Sequence, residues 1–288
     1  MATNFFYQIT RVLNRNPDGS KATQAERKKI LKLADKQLRE LNVRKLELRN
    51  LGRKHIEKLV THWQDQGLAA GTIKTRMTHL RWLSEKIGKP GLVPKNNASL
   101  GIENRKYVTN QNKARFLVNS KLATLNDRYL EASFRLQAAF GLRREECMKV
   151  QLHLADRGDH LHLVKTKGAR PRDVPIRTLE QRQLINEVKK WVGDSSLIPE
   201  NDKYVSQMKR YERACIKMGL DKAHGLRHAY AHQRYFELTG FNAPAAGGPS
   251  TKGLTGEDKQ RDFEARMVIT EELGLMCPLK SRHRGLVY

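Results

Sequence analysis

The sequence predicts a mostly helical α+β protein, with an N-terminal helical domain and a C-terminal mixed domain holding one small antiparallel sheet. Three observations predict it. Apolar residues recur at helical spacing through the first hundred residues. The run 160–164 alternates in polarity, and it and a second strand-like run, 173–176, flank a turn-like segment. Long helical patterns then follow near 178–192, 204–218 and 225–238. Helices around a single small sheet make an α+β domain.

In the first part, Thr23-Gln24-Ala25-Glu26 has the spacing of a capping box, with a hydroxyl and a carboxylate three residues apart. Ile30, Leu31, Ala34, Leu38 and Leu41 form the apolar stripe of the helix it opens. Ile56, Leu59, Val60 and Trp63 form a second stripe. Thr72 is placed to cap a third helix, with Ile73, Met77, Leu80 and Ile87 facing the core. Gly67, Gly71 and Gly88-Lys89-Pro90 punctuate these elements. This defines a helical domain over 1–92. The turn-rich stretch 93–114 reads as a basic linker carrying Lys95, Arg105, Lys106 and Lys113, and 115–288 is the mixed domain. There, Leu130–Phe140 is apolar on one side, and Lys167-Gly168-Ala169-Arg170-Pro171 forms the turn between the two strands. The sequence contains no internal repeat.

Composition narrows the function. The 288 residues include 55 Lys and Arg against 30 Asp and Glu, a net charge of +25. Such an excess points to a polyanionic partner, of which nucleic acid is the commonest. It argues against a purely small-molecule enzyme. The 39% hydrophobic content is enough for a packed core and excludes wholesale disorder. Cys147, Cys215 and Cys277 form no disulfide or zinc pattern, as in a reducing compartment. No signal-peptide pattern or apolar run of about 18 residues occurs, so the expected location is cytoplasmic and nucleoid-associated, without a membrane partner.

The third helix carries Lys74, Arg76, His79 and Arg81. Like charges on one face repel unless neutralised, so Lys74, Arg76 and Arg81, with Lys106 in the linker, are candidate phosphate contacts. Nucleotide-loop and metal motifs are absent from the sequence. His160 and His162 alternate on a strand, and His224, His228 and His232 are four apart. With no acidic or Cys ligand evident beside either group, no metal site is expected.

Three segments remain: Gly141-Leu142-Arg143-Arg144-Glu145-Glu146 after an apolar helix, Lys167 in the hairpin turn, and His224-Gly225-Leu226-Arg227 opening a later helix. Lys167 follows Arg143 by 24 residues, and the hairpin ends in Val174-Pro175. Together, in this order and after a basic helical domain, they resemble the Arg, hairpin Lys and His-x-x-Arg of tyrosine recombinases, the phage-integrase superfamily. Asn14–Ser20, Gly71–Trp82, Leu136–Phe140 and Ala243–Pro249 are further similar to integrases of bacterial mobile elements, and the resemblance covers roughly residues 5–274.

The resemblance implies that 1–92 is a core-binding, SAM-like domain, that 115–288 is catalytic, and that duplex DNA is the partner, with protomers forming a tetramer in an active synapse. It implies a tyrosine that attacks a phosphodiester to form a 3′-phosphotyrosyl link, without cofactor or metal. Arg143 and Arg227 would stabilise charge on the phosphoryl oxygens. Lys167 would protonate the leaving 5′-oxygen, and His224 would assist proton transfer or bind the phosphate. Glu146 has two open readings, a partner that fixes Arg143 or a surface carboxylate.

The family pattern breaks after Gly274. Leu275 stands where the family has His, Arg284 lies near the expected tyrosine, and Pro278 interrupts the expected helix. Tyr288 and His283 are the remaining candidates, five residues apart rather than about nine. Tyr230 and Tyr235, on the His224–Leu238 helix, read as core or surface residues. The break is as abrupt as a change of reading frame or coding end would leave it; an intact His and Tyr in another frame of the native locus would test that origin. Two functional readings stay open: an active recombinase, or a catalytically impaired remnant that occupies recombination sites without cleaving them.

Overall fold

The computed structural model describes residues 4–104, 111–164 and 171–275. The chain forms two compact units, 1–107 and 108–288.

In the first unit, α1 (Asn4–Arg15), α2 (Lys21–Glu40), α3 (Arg53–Asp65) and α4 (Ala70–Lys86) share one apolar core. Its centre is Leu31 and Leu38 of α2, Ile56, Leu59 and Trp63 of α3, and Met77 and Leu83 of α4. The Trp63 indole N–H donates to Gln37 Oε1 at 2.8 Å, so the one polar edge of that ring is satisfied inside the core. Helix α1 was not foreseen as a separate element, although Phe5, Phe6 and Ile9 share its buried face.

Both predicted caps shift. The cap of α2 lies three residues before the expected one: Gly19 turns the chain at φ +80°, and Ser20 Oγ accepts from Thr23 N. Thr72 lies inside α4, because Thr72 N and Ile73 N both close on the Ala69 carbonyl. The stretch read as a linker is divided in the same way. Val93 and Ile102 are buried in the first core. Arg81 donates from Nε to Pro94 O at 2.9 Å and from Nη2 to Asn97 Oδ1 at 2.5 Å. Past the undescribed residues, Arg115 N donates to Gly225 O of the second unit.

The second unit contains α5 (Asn119–Ala123), α6 (Arg128–Phe140), α7 (Arg144–Lys149), α8 (Leu152–Ala155), β1 (His160–Leu163), β2 (Arg172–Pro175), α9 (Leu179–Val192), α10 (Tyr204–Lys217), α11 (His224–Thr239) and α12 (Gly256–Glu272). The strands are antiparallel, with Leu161 opposite Val174 and Leu163 opposite Arg172. Alternation turns Leu161, Leu163, Arg172 and Val174 inward. Around α6, Phe134 stacks on Tyr211 of α10 with ring centroids 4.0 Å apart, and the Tyr211 hydroxyl bonds Gln137. The expected hairpin and the helices near 178–192, 204–218 and 225–238 are all present. Helix α12 was not foreseen: its buried positions include Asp262, Thr270 and Glu272, so no apolar stripe announces it. Among the described residues no helix is long and apolar enough to cross a membrane.

Candidate active site

Three helix ends converge in the second unit: the C-terminus of α6, the N-terminus of α7 and the C-terminus of α12. Gly141 ends α6 in the left-handed region at φ +58°. A Cβ there would lie 2.6 Å from Tyr230 Cδ1 and 2.9 Å from Leu273, so only glycine fits this crossing. Arg143 follows as the residue before α7. Its backbone N donates to Glu146 Oε2 at 2.7 Å and its Nη1 to Glu146 Oε1 at 2.7 Å. Glu146 is buried, which settles its two sequence readings in favour of the partner that fixes Arg143.

Glu146 also takes a second cation. Arg172, from the inward face of β2, donates Nη1 to Glu146 Oε1 at 2.8 Å and Nη2 to Oε2 at 2.6 Å. Both side chains of this fork are only 4% exposed. Burial alone would raise the Glu146 pKa, but Arg172 and then Arg143 hold it at about 2. Arg172 was missed in the sequence. The available signal was its alternation with Val174, which puts it on the core face.

The last carbonyls of α12 gather the arginines. Arg143 Nη2 donates to Gly274 O at 2.8 Å and Leu273 O at 3.1 Å. Arg227, buried on α11, donates Nη1 to Gly141 O at 2.5 Å and Nη2 to the same Leu273 O. Arg172 Nε donates to Glu272 O at 2.8 Å. A helix C-terminus leaves carbonyls without intrahelical donors and carries partial negative charge, so it is a natural acceptor for guanidinium groups. Arg143 and Arg227, far apart in sequence, thus share one acceptor oxygen.

His224 opens α11 beside them and is itself exposed. Partial desolvation by the surrounding protein, then the charges of Arg227 and Arg143, lower its pKa. Its ring meets His228 edge-on at 5.1 Å. Burial and then the neighbouring His224, His232, Lys113 and Arg227 push His228 down to about 4. His224 and His228 are therefore both held toward the neutral form, and the arginines around them disfavour a bound cation.

Tyr230 and Tyr235 take core positions. Burial and the Glu272 charge raise the Tyr230 pKa, and its hydroxyl donates to Glu272 Oε2 at 2.7 Å. The Tyr235 hydroxyl donates to Asp262 Oδ1 at 2.5 Å. Both are hydrogen-bond donors, not poised nucleophiles.

Of the expected site residues, Arg143, His224 and Arg227 come together. Lys167, Lys106 and Tyr288 lie outside the described residues. Of the expected phosphate contacts on α4, Lys74 is half-buried, with Nζ 3.5 Å from Asn104 Oδ1. Arg76 lies over the Trp63 ring at 5.0 Å, and Arg81 is tied to 94–97. His79 departs from the basic face and is buried.

One reading is corrected at the hairpin. The antiparallel register sets Asp173 opposite His162, so an acidic group does stand by the strand histidines. His162 Nδ1 is 2.6 Å from Asp173 Oδ1, and the three side chains place possible ligand atoms within 4.8 Å of one another. The His160 and His162 Nδ1 atoms are each matched by a carboxylate, of Asp159 and Asp173, in hydrogen bonds that need no ion.

Comparison with known proteins follows these halves. Residues 6–93 match the family model described as phage integrase, N-terminal, and residues 105–233 match the integrase model. A sequence search of curated proteins finds no match. Among solved structures, a fragment of lambda integrase, as a dimer bound to a COC′ core site, aligns over 98% of both chains with a TM-score of 0.58 and 13% identity. A second lambda integrase dimer on the same core site aligns over 97% of this chain and 79% of that one, with a TM-score of 0.59 and 13% identity. The Tn1549 transposon integrase in complex with circular intermediate DNA aligns over 99% of this chain and 97% of that one, with a TM-score of 0.55 and 11% identity.

Proposed function

Because the chain belongs to the phage-integrase superfamily of tyrosine recombinases, we propose that it is a site-specific DNA recombinase of a mobile element. Its substrate is duplex DNA, and its protomers pair and then form a tetramer on that DNA. The first unit is the core-binding half and the second the catalytic half. The observation that carries the reading is the convergence of Arg143 and Arg227 on one carbonyl, with His224 beside them.

The chemistry is a transesterification. A tyrosine hydroxyl attacks the scissile phosphorus, the bond to the 5′-oxygen breaks, and a 3′-phosphotyrosyl bond forms. The proton lost by the tyrosine passes to a base, and the leaving 5′-oxygen gains one. A free 5′-hydroxyl later reverses these steps on another strand. Arg143 and Arg227 neutralise the phosphoryl oxygens, which gain charge in the transition state. Their geometry is preset by Glu146 and the α12 carbonyls, so little reorganisation is needed when DNA arrives. His224, neutral near pH 7, takes the tyrosine proton. Lys167 is assigned the leaving group and Tyr288 the nucleophile. None of these steps calls on a metal.

The test uses duplexes selected from a random library by binding to the protein, then nicked near the bound site. A covalent protein–DNA adduct that resists EDTA and disappears in Tyr288→Phe supports the recombinase reading. Selective binding with no adduct supports the second reading, a DNA-binding remnant, which the departure after Gly274 favours.

A further inference from the structure

The end of α12 carries a carboxylate that this chemistry does not use. Glu272 is buried, at 5% exposure. Its oxygens accept the Tyr230 hydroxyl at 2.7 Å and Arg234 Nε at 2.9 and 3.3 Å. A buried carboxylate is expensive to desolvate and persists where it is paired.

The arrangement of its partners is informative. Arg227, Tyr230 and Arg234 are three and then four residues apart, on one face of α11. Successive turns of α11 therefore hold the end of α12. Arg227 does so through the Leu273 carbonyl, and Tyr230 and Arg234 through the Glu272 side chain. The two residues after Glu272 supply both carbonyls that receive Arg143. The Glu272 carbonyl itself receives Arg172, which holds Glu146, which holds Arg143. Gly274 leaves no slack, since a Cβ there would lie 2.8 Å from Arg172 Cδ.

We infer that Glu272 is a positioning residue for the Arg143–Arg227 pair. Its carboxylate sets the register of α12 against α11 and so places the Leu273 and Gly274 carbonyls that orient both guanidinium groups. The inference rests on the reading of that pair as the phosphate clamp. Paired guanidinium–phosphate hydrogen bonds depend on orientation, and a displacement of about 1 Å is enough to lower a rate about 100-fold.

The test is Glu272→Gln, which keeps the size of the side chain and removes its charge. Rotation of the Arg143 and Arg227 guanidinium groups is read by 15N NMR of arginine-labelled protein, with Arg266, held by Asp262, as the internal control. Both clamp groups should rotate at least about tenfold faster in the variant while Arg266 does not change. Affinity for a random duplex of about 30 base pairs should stay within about twofold, because nonspecific affinity comes from the wider basic surface. On a selected nicked duplex, adduct formation should slow about tenfold or more. Glu272→Asp, which keeps the charge on a shorter arm, should restore part of both losses.

Unchanged rotation of Arg143 and Arg227 in Glu272→Gln overturns the inference. Should that variant not fold, Tyr230→Phe removes one hydrogen bond to the same carboxylate and is read in the same way. The NMR measurement does not require a protein that cleaves. Wild-type adduct rates in Arg143→Ala and Arg227→Ala would instead remove the clamp reading, whatever Glu272 does.

Discussion

The two units fill their interiors in different ways. In the first, apolar side chains from four helices meet, and buried polar groups such as Gln37, Arg27 and Asp35 form no network with one another among the described residues; Gln37 serves the Trp63 indole. In the second, an apolar core of the same kind surrounds a knot of charge in which Glu146, Arg172, Arg227 and Glu272 are all buried. An apolar core tolerates small shifts, because dispersion and burial are not directional. A buried charge network does not, since each member needs its partner in place. The second unit has accepted that constraint where the proposed chemistry needs fixed cations.

The contrast can be broken most forcefully at Glu146. Glu146→Ala leaves Arg172 buried without its carboxylate and should destabilise the second unit by about 3–5 kcal/mol. Thermal melting with separate probes for the two units checks this, and loss of both units together would break the comparison. Next comes the effect on chemistry. Arg227→Ala or Arg143→Ala should slow adduct formation about 100- to 1,000-fold, with nonspecific DNA affinity within about threefold; quenched-flow adduct assays and fluorescence anisotropy measure the two. In the first unit, Leu59→Ala should cost about 2–5 kcal/mol through cavity formation, and rotation of the Arg143 guanidinium should not change.

Acid separates the units more gently. The Glu146 pKa falls from 4.5 to about 2 on folding. A lowered carboxylate pKa adds stability that is complete above pH 4.5 and is lost as pH falls toward 2, at most about 3 kcal/mol. His228 works in a higher window. Its pKa falls from 6.5 to about 4, so the unfolded chain binds the proton first and stability declines as pH drops from 6.5 toward 4. Glu146→Gln should flatten the dependence of melting on pH between 4.5 and 2 and leave the upper window alone.

The smallest expected effects divide the basic face of α4. Lys74→Gln should weaken DNA binding slightly and reduce the salt slope by about 1. Arg81→Ala should leave that slope alone and cost about 1 kcal/mol of first-unit stability, because its guanidinium is committed to Pro94 and Asn97. Equal salt slopes in the two variants would erase this distinction.

How much was legible follows the same contrast. The stripes of α2, α3 and α4, the hairpin and three later helices were all readable, because apolar periodicity is local. Arg143, His224 and Arg227, which the structure brings together, were singled out by their resemblance to a family motif. Helix α12 was not, because much of its buried face is polar. Arg172 and Glu272 were not, because their partners lie 26 to 100 residues away. The caps moved from Thr23 and Thr72 because turns at Gly19 and Ala69 closed the helices earlier.

The sequence by itself determined the two-part helical plan and the strong positive charge, while the candidate cations came from a resemblance between motifs. Each of the first two is a property of composition or of short-range spacing. Tertiary structure alone decided which carbonyl two distant arginines share, which carboxylate holds them, and that Asp173 meets His162 across the hairpin. Those pairings are set by the packing of helix ends and by strand register, and no local pattern encodes where two such ends will meet.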